Sequence, residues 1–311
     1  MSSTVSSPRS VQSEPRLRLR IPESNTCPTG RIKGNVSQHH EKAGGSMAGA
    51  VLITGASSGI GEATARFLSS RGWQVFGTSR HAREDRDGIR FVVMDVCDDE
   101  SVKRALEEVL GECDGLEAVI CNAGMGIFGA AEEVSLADAR AQFETNYFGV
   151  LRVLRGVIPG MREARRGRIL LVGSLAGRAP LPFQSHYSSS KAAIDSLSGA
   201  LFTELAPYGI QVSLIEPGDI ATPFNDAVNW NASPDPSAYK DAVETCEATN
   251  RKYLLAAPPP SVAARCIERA LKARRPRARY TVGADSWMVP LGRRFLPDRI
   301  SLNLIRRHYG I

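Results

Sequence analysis

Tyr187 and Lys191 stand four residues apart in "YSSSK", which on a helix places them on one face about a turn apart. A free phenol has a pKa near ~10 and exchanges protons poorly at neutral pH. A neighbouring ammonium favours the phenolate, so the pairing is expected to bring the tyrosine toward the working range of a general acid and base. Ser174, thirteen residues before Tyr187, offers a hydroxyl that can hold a substrate oxygen as charge develops on it. A second stretch, "VLITGASSGIGEA" from Val51 to Ala63, supports two chemistries. Gly55, Ser57 and Gly59 fit G-x-S-x-G, the nucleophile elbow of a hydrolase, with Ser57 attacking. Gly55, Gly59 and Gly61, following an apolar strand and opening a helix, fit a loop that cradles the phosphates of a nucleotide.

From about residue 47 short apolar runs alternate with longer amphipathic stretches. The expected strands are "AVLIT", "QVFGTS", "IRFVVMDV", "LEAVICNAG", "GRILLVGS", "IQVSLIEP" and "RYTVGA". Helical patterns lie between them, among them "EATARFLSSRG", "DESVKRALEEVLG", one long helix from Ser135 to Ala164, "HYSSSKAAIDSLSGALFTELAPYG" and "PSVAARCIERALKARR". Strands and helices taking turns with short links predict an α/β domain over residues 47–285, a doubly wound, mostly parallel seven-stranded sheet of Rossmann type. Ligands of such sheets bind at the carboxyl ends of the strands. There stand the Gly-rich turn from Thr54 to Gly61, Ser79 and Arg80, Asp95 and Val96, Asn122 to Gly124, Ser174, and finally Pro217, Gly218 and Thr222.

Composition narrows the partners. The net charge of +6 is not spread evenly: residues 1–46 carry +4 and residues 272–311 carry +8, which leaves residues 47–271 at −6. An acidic body argues against a nucleic-acid groove across the main domain. No apolar run approaches the eighteen or so residues needed to span a bilayer, and no secretion signal is present, so a cytoplasmic protein is expected. Cys27, Cys97, Cys113, Cys121, Cys246 and Cys266 are scattered without a C-x-x-C pair, which indicates neither a metal site nor a disulfide framework. Residues 1–46, rich in Ser, Pro and Arg, are expected to form a disordered tail. An acid-poor start of this kind also fits a transit peptide, and Met47 fits an initiator.

An elbow serine needs an acid and then a histidine downstream. His81, His186 and His308 are framed by no such motif, and the glycine run continues to Gly61. The phosphate-loop reading is therefore preferred: Gly55 turns the chain out of the strand, Gly59 lets backbone approach a diphosphate, and Gly61 lets helix and strand pack closely.

T-G-x-x-x-G-I-G at Thr54–Gly61, N-A-G at Asn122–Gly124 and Y-x-x-x-K at Tyr187–Lys191, in this order, resemble the short-chain dehydrogenase/reductase family in its compact single-domain form. The resemblance covers Val51 to about Thr222. It implies a catalytic set of Ser174, Tyr187 and Lys191 with Asn146, the last positioning a water that relays protons from Lys191. It implies a cofactor site of Gly55, Ser57, Ser58, Gly59, Ile60 and Gly61, with Asp95, Val96, Asn122, Ala123 and Gly124 lining it, Tyr187 and Lys191 beside it, and Pro217, Gly218 and Thr222 at its nicotinamide end. Ser79 stands where NAD-using members carry an Asp that would repel a 2′-phosphate, and Arg80 follows it with a guanidinium suited to that phosphate; the expected cofactor is NADP(H). Family members often carry two serines at the end of the fifth strand, whereas Gly173 precedes Ser174 here. The implied reaction interconverts an alcohol and a ketone or aldehyde; a dinucleotide-binding sensor without turnover is the rival from another class. A homodimer or homotetramer is also implied by the resemblance.

"LPFQSHYSSSK" and "SLIEPGDIATPF" are similar to hydroxysteroid and retinol dehydrogenase-like members, which implies a lipophilic carbonyl substrate rather than a 3-oxoacyl thioester. Residues 223–260, with Phe224, Trp230, Tyr239 and Tyr253, are expected to form the substrate lid. Met125, Ile127, Phe128, Leu181, Pro182 and Phe183 are expected to add to an apolar pocket. Residues 286–311 form a basic extension with a helix from about Asp298 that gathers Ile300, Leu304 and Ile305 on one side and Arg299, Arg306 and Arg307 around them. Such a helix either folds back over the substrate cleft or lies on an anionic membrane surface.

Overall fold

The strands form because runs of Val, Ile, Leu and Ala are buried on both faces, as a parallel sheet requires. In a computed structural model, which describes residues 49–226, 228, 237–283 and 286–311, they are β1 (Ala50–Ile53), β2 (Gln74–Ser79), β3 (Ile89–Val93), β4 (Leu116–Cys121), β5 (Gly167–Val172), β6 (Ile210–Pro217) and β7 (Arg279–Val282). The seven pair in the order β3-β2-β1-β4-β5-β6-β7. Every pairing in the sheet is parallel, so the "mostly parallel" expectation sharpens to a wholly parallel sheet. The expected tail over residues 1–46, Met47 and Trp230 lie outside the described residues.

The helices are α1 (Gly59–Ser69), α2 (Asp99–Gly111), α3 (Leu136–Phe143), α4 (Gly149–Glu163), α5 (Ser185–Glu204), α6 (Pro223–Asp226), α7 (Lys240–Leu255), α8 (Ser261–Lys272), α9 (Met288–Phe295) and α10 (Asp298–His308). Side chains alternate across each strand. Val51 and Ile53 therefore enter one core layer with Leu68 of α1 and Ile267 of α8. Leu52 enters the opposite layer with Leu106 of α2, Val153 and Leu154 of α4 and Ile194 of α5. α2 starts where the Asp98 carboxylate accepts the N–H groups of Glu100 and Ser101 at 2.8 and 3.0 Å.

Several elements differ from expectation. The single helix expected over residues 135–164 is interrupted by a π-helical turn at Glu144–Phe148, an insertion that the continuous apolar period through "AQFETNYFGVL" conceals. The segment expected only as a lid contains a full helix, α7, and α9 precedes the expected C-terminal helix. Strand ends are shorter by two or three residues where the chain turns toward the ligand side, as after β3, β4 and β5.

The chain runs from β1 to β2 in one direction and reaches β4 in the other, which opens a crevice at the carboxyl ends of β1 and β4. Thr54 Oγ1 accepts the N–H groups of both Asn122 and Ala123 at 3.0 Å. The Asn122 amide donates back to the carbonyls of Thr54 and Gly55 at 3.0 and 3.1 Å. A Cβ on Gly61 would lie 2.2 Å from the Gly55 carbonyl oxygen and 2.5 Å from Asn122 Nδ2, so the first turn of α1 reaches this junction only as glycine. Gly61→Ala is expected to destabilise the protein by about 1–3 kcal/mol through overpacking. Gly111→Ala, where an added Cβ would meet nothing within 4 Å, is expected to be neutral or to stabilise by up to about 1 kcal/mol. Urea unfolding of the two variants reads the difference.

Candidate active site

All of the residues expected at the site, except Gly61 and Asn146, line one cleft of about 1270 Å³ at the strand ends. Pockets that hold one drug-sized ligand measure about 300–1,000 Å³, so this cleft has room for a dinucleotide and a substrate together. Gly61 sits behind the wall in the contact described above. Asn146 is buried behind it too, on the π-helical turn.

The reactive side chains come from two elements. Tyr187 and Lys191 project from α5, and Ser174 lies just past β5, where its oxygen also accepts the N–H of Ala176 at 3.1 Å. The Ser174 hydroxyl lies beside the Tyr187 phenol and favours its ionised form. Lys191 is buried, and its Nζ donates to the Val172 carbonyl at 3.0 Å, 5.9 Å from the centroid of the Tyr187 ring. Asn146 Oδ1 accepts the N–H of Met125 at 2.8 Å, and its Nδ2 donates to Met125 O and Ser190 Oγ, both at 3.0 Å. Ser190 Oγ donates in turn to the Tyr187 carbonyl at 2.8 Å. Asn146 Oδ1 and Lys191 Nζ lie 3.3 and 3.6 Å from where a Cβ of Gly124 would stand, so a side chain at that position would press on both.

Burial sets the charge of this pair. Removal from water pushes the Tyr187 phenol above its ordinary value, opposed by the Ser174 hydrogen bond and reinforced by the negative charge of Asp219. Burial lowers Lys191 from 10.5 to about 8. The expectation that Lys191 brings the phenol down is thus corrected: burial raises the phenol, and the ammonium's hydrogen bond goes to Val172 rather than to the phenol.

The glycine loop fits a dinucleotide. Gly55 and Gly59 adopt left-handed backbone, with φ of +65° and +57°, and a Cβ on Gly59 would approach Thr222 to 3.3 Å. The Ser58 side chain makes no cap bond at the start of α1, which leaves that helix end to an anion. Ser79 is buried at the end of β2 and Arg80 is exposed beside it. The nearby carboxylates are engaged elsewhere: Asp85 accepts the N–H of Phe91 at 2.8 Å and Asp87 pairs with Arg66 at 2.8 Å. Among the described residues no hydrogen bond joins Ser57 to a histidine; His308 instead stacks on Tyr253 at 4.6 Å.

The substrate side is apolar. Met125, Ile127, Phe128, Leu181 and Phe224 line the cleft as expected, whereas Pro182, Phe183, Tyr239 and Tyr253 do not. The Tyr239 hydroxyl instead donates to Glu132 at 2.7 Å, while its ring meets Phe183 edge-on. Helices α9 and α10 fold back and supply Met288, Leu296, Leu304 and Ile305 to the cleft wall, while Tyr309 is buried against Phe128, Val243 and Cys246. Asp219, two residues past β6, also lines the cleft. Neither it nor Ser190 stands out in the sequence, since a single polar residue carries no period.

The family description "short chain dehydrogenase" matches residues 49–232. The chain belongs to that family. Over 179 residues it is 44% identical to a 3-ketodihydrosphingosine reductase of Bacteroides thetaiotaomicron, a match covering 58% of this chain and 66% of the relative. An NADPH-dependent 3-dehydrocapnine reductase of Ornithobacterium rhinotracheale is 30% identical over 80% of this chain and 93% of its own length. The crystal structure of a short-chain dehydrogenase from Streptomyces avermitilis superposes with a TM-score of 0.71 at 30% identity, covering 84% of this chain and 96% of that one. Retinol and 17-beta-hydroxysteroid dehydrogenases also stand among the relatives, as the resemblance implied.

The depressed value of Lys191 has a thermodynamic consequence. Between about pH 8 and 10.5 the unfolded chain retains a proton that the folded one has released, so this residue makes stability rise with pH across that window. The melting temperature of the wild type, measured relative to Lys191→Met, is expected to climb from pH 8 to 10.5; a flat difference would refute the burial of a neutral lysine.

Proposed function

We propose that this chain is an NADPH-dependent reductase of lipophilic ketones or aldehydes. One observation carries the reading: Ser174, Tyr187 and Lys191 share a cleft with the glycine loop, and the wall beyond Tyr187 is apolar. When bound, the dinucleotide supplies a hydride to the carbonyl carbon. Ser174 donates a hydrogen bond to the carbonyl oxygen as negative charge grows there. Tyr187, kept protonated by its burial, passes its proton to the same oxygen and so completes an alcohol. A phenol held above its ordinary pKa carries at neutral pH the proton that carbonyl reduction consumes. Lys191 holds its place through Val172 O and faces the phenolate that results. Ser79 and Arg80 take the 2′-phosphate, while Asp85 and Asp87 are engaged elsewhere. The relatives named for 3-ketodihydrosphingosine, 3-dehydrocapnine and retinol support a lipid substrate.

Purified protein with NADPH and a panel of steroid, retinoid, long-chain ketone and acetoacetyl thioester substrates tests this. Turnover is expected on one of the lipophilic carbonyls, and rapid turnover of the thioester alone would overturn the substrate class. Arg80→Ala is expected to raise the KM for NADPH by about tenfold or more, the worth of a charge-assisted hydrogen bond, with little change for NADH. Equal loss with both cofactors would contradict the phosphate role.

The same reading places the cleft mouth at a membrane. Among the described residues no helix is long and apolar enough to cross one. Trp287, Leu291, Phe295, Ile300 and Leu302 of the two C-terminal helices and the turn before them nevertheless face solvent, off the cleft wall. Arg294, Arg299, Arg306 and Arg307 are exposed around them, an arrangement suited to an anionic lipid surface. The protein is expected to float with anionic liposomes at low salt and to be released at high salt, while a Trp287→Glu/Phe295→Glu variant stays in the soluble fraction. Equal recovery of both in the soluble fraction at low salt would remove this contact.

A further inference from the structure

The face of α5 that carries Lys191 and Tyr187 continues one turn earlier to Gln184, because residues 184, 187 and 191 recur at the spacing of one helical stripe. Lys191 stands at the end of that stripe nearer Gly124. At the other end Gln184 follows Phe183, and its N–H donates to the Leu181 carbonyl at 3.2 Å. Leu181 and Phe183 pack with Phe128 and Tyr187 in one apolar cluster, so Gln184 is a polar side chain set in an apolar wall.

Gln184 is only 4% exposed, yet it lines the cleft, and the surface it keeps faces the cavity. Its backbone is held on both sides. The Gln184 carbonyl accepts the Ser188 N–H at 2.8 Å, and Phe183 accepts the Gly129 N–H at 2.8 Å in left-handed backbone with φ of +57°. A bulky residue keeps that conformation only where its surroundings impose it. The Gln184 side-chain amide, in contrast, forms no hydrogen bond among the described residues. Other buried amides near the cleft are engaged: Gln142 accepts the Ile127 N–H at 2.6 Å, and Asn146 bridges Met125 and Ser190.

An amide facing a cavity loses solvation when a ligand fills that cavity, and an aliphatic chain returns no hydrogen bond for it. A hydroxyl can return two, since it accepts from Nε2 and donates to Oε1. Gln184 precedes Tyr187 by a helical rise of about 4.5 Å, so the hydroxyl belongs at about that distance from the oxygen that meets the phenol. A carbon β to the carbonyl satisfies this.

We propose that Gln184 is a specificity-determining residue that recognises a hydroxyl β to the reacting carbonyl, on the arm of the substrate that runs along Leu181 and Phe128. This rests on the ketone-reductase reading given above. The carbonyl meets Ser174 and Tyr187, the hydroxyl meets the Gln184 amide, and the product is a 1,3-diol.

Two ketones that differ only by that hydroxyl, 5-hydroxydecan-3-one and decan-3-one, test the assignment with full-length protein and NADPH. The hydroxy ketone is expected to exceed the plain ketone in kcat/KM by about five- to a hundredfold, the worth of a buried neutral group left unpaired, carried mainly by KM. Gln184→Met, of similar length but without the amide, is expected to bring that ratio near unity, and Gln184→Glu, which still accepts from a hydroxyl, to restore part of it. Because each ratio is taken within one enzyme, a general loss of folded protein cancels. Equal kcat/KM for the two ketones in the wild type, or an unchanged ratio in Gln184→Met, would overturn the assignment. Calorimetric binding of decane-3,5-diol against decan-3-ol supplies a readout without turnover. If neither ketone is reduced, the reductase reading fails, and the binding comparison still decides on Gln184: tighter binding of the diol that Gln184→Met abolishes supports it, and equal binding refutes it.

Discussion

The junction between the end of β1 and the end of β4 is the constraint from which the site follows. Thr54 Oγ1 holds two N–H groups of the β4 loop, Asn122 ties back to two carbonyls of the β1 loop, and Gly61 brings α1 against both. Backbone groups at the end of a strand would otherwise be left without partners, at a cost comparable to a lost hydrogen bond each. Satisfying them mutually fixes the two loops to each other, and the cleft opens beside them at the strand ends. The helix N-terminus, the glycine turn and the N-A-G stretch are three consequences of one contact.

Burial then decides the chemistry on the other side of that crevice. α5 lies with Lys191 inward, where Val172 accepts its hydrogen bond while burial loosens its proton, lowering the pKa to about 8. Tyr187, one turn earlier, is desolvated with it and keeps its proton. Both groups are shifted toward their neutral forms by the same cause. Ion pairs link α5 to the neighbouring strands: Glu216 of β6, itself buried, pairs with Arg178 at 2.8 Å, and Arg279 of β7 pairs with Asp195, one turn past Lys191 on α5. Removing the arginines would leave the buried Glu216 carboxylate uncompensated, so these pairs help to tie the catalytic helix to the sheet.

Much of this was legible in the sequence, for identifiable reasons. The central strands are runs of apolar residues buried on both faces, and the glycines of the turn serve left-handed backbone or close approach. The motif order therefore located nearly the whole cleft. What escaped depends on three-dimensional context. The π-helical turn that buries Asn146 preserves an apolar period on both sides of it. Tyr239 and Tyr253 are aromatic residues in the expected lid, yet Glu132 and His308 draw them away from the cleft. The direction of the Tyr187 shift follows from its burial, which spacing alone cannot reveal. Asp219 is one residue in a loop, distinguished only by what surrounds it.

The central claim is that Tyr187 supplies the proton. General acids of this kind contribute about 10²–10⁴-fold to a rate, and the tyrosine hydroxyl can be removed with little change in shape. Steady-state NADPH oxidation with the best lipophilic ketone, compared between the wild type and Tyr187→Phe of unchanged melting temperature, is therefore the most direct measurement. The account predicts a fall in kcat of at least about a hundredfold with KM for NADPH little altered; a variant that turns over at the wild-type rate would contradict it.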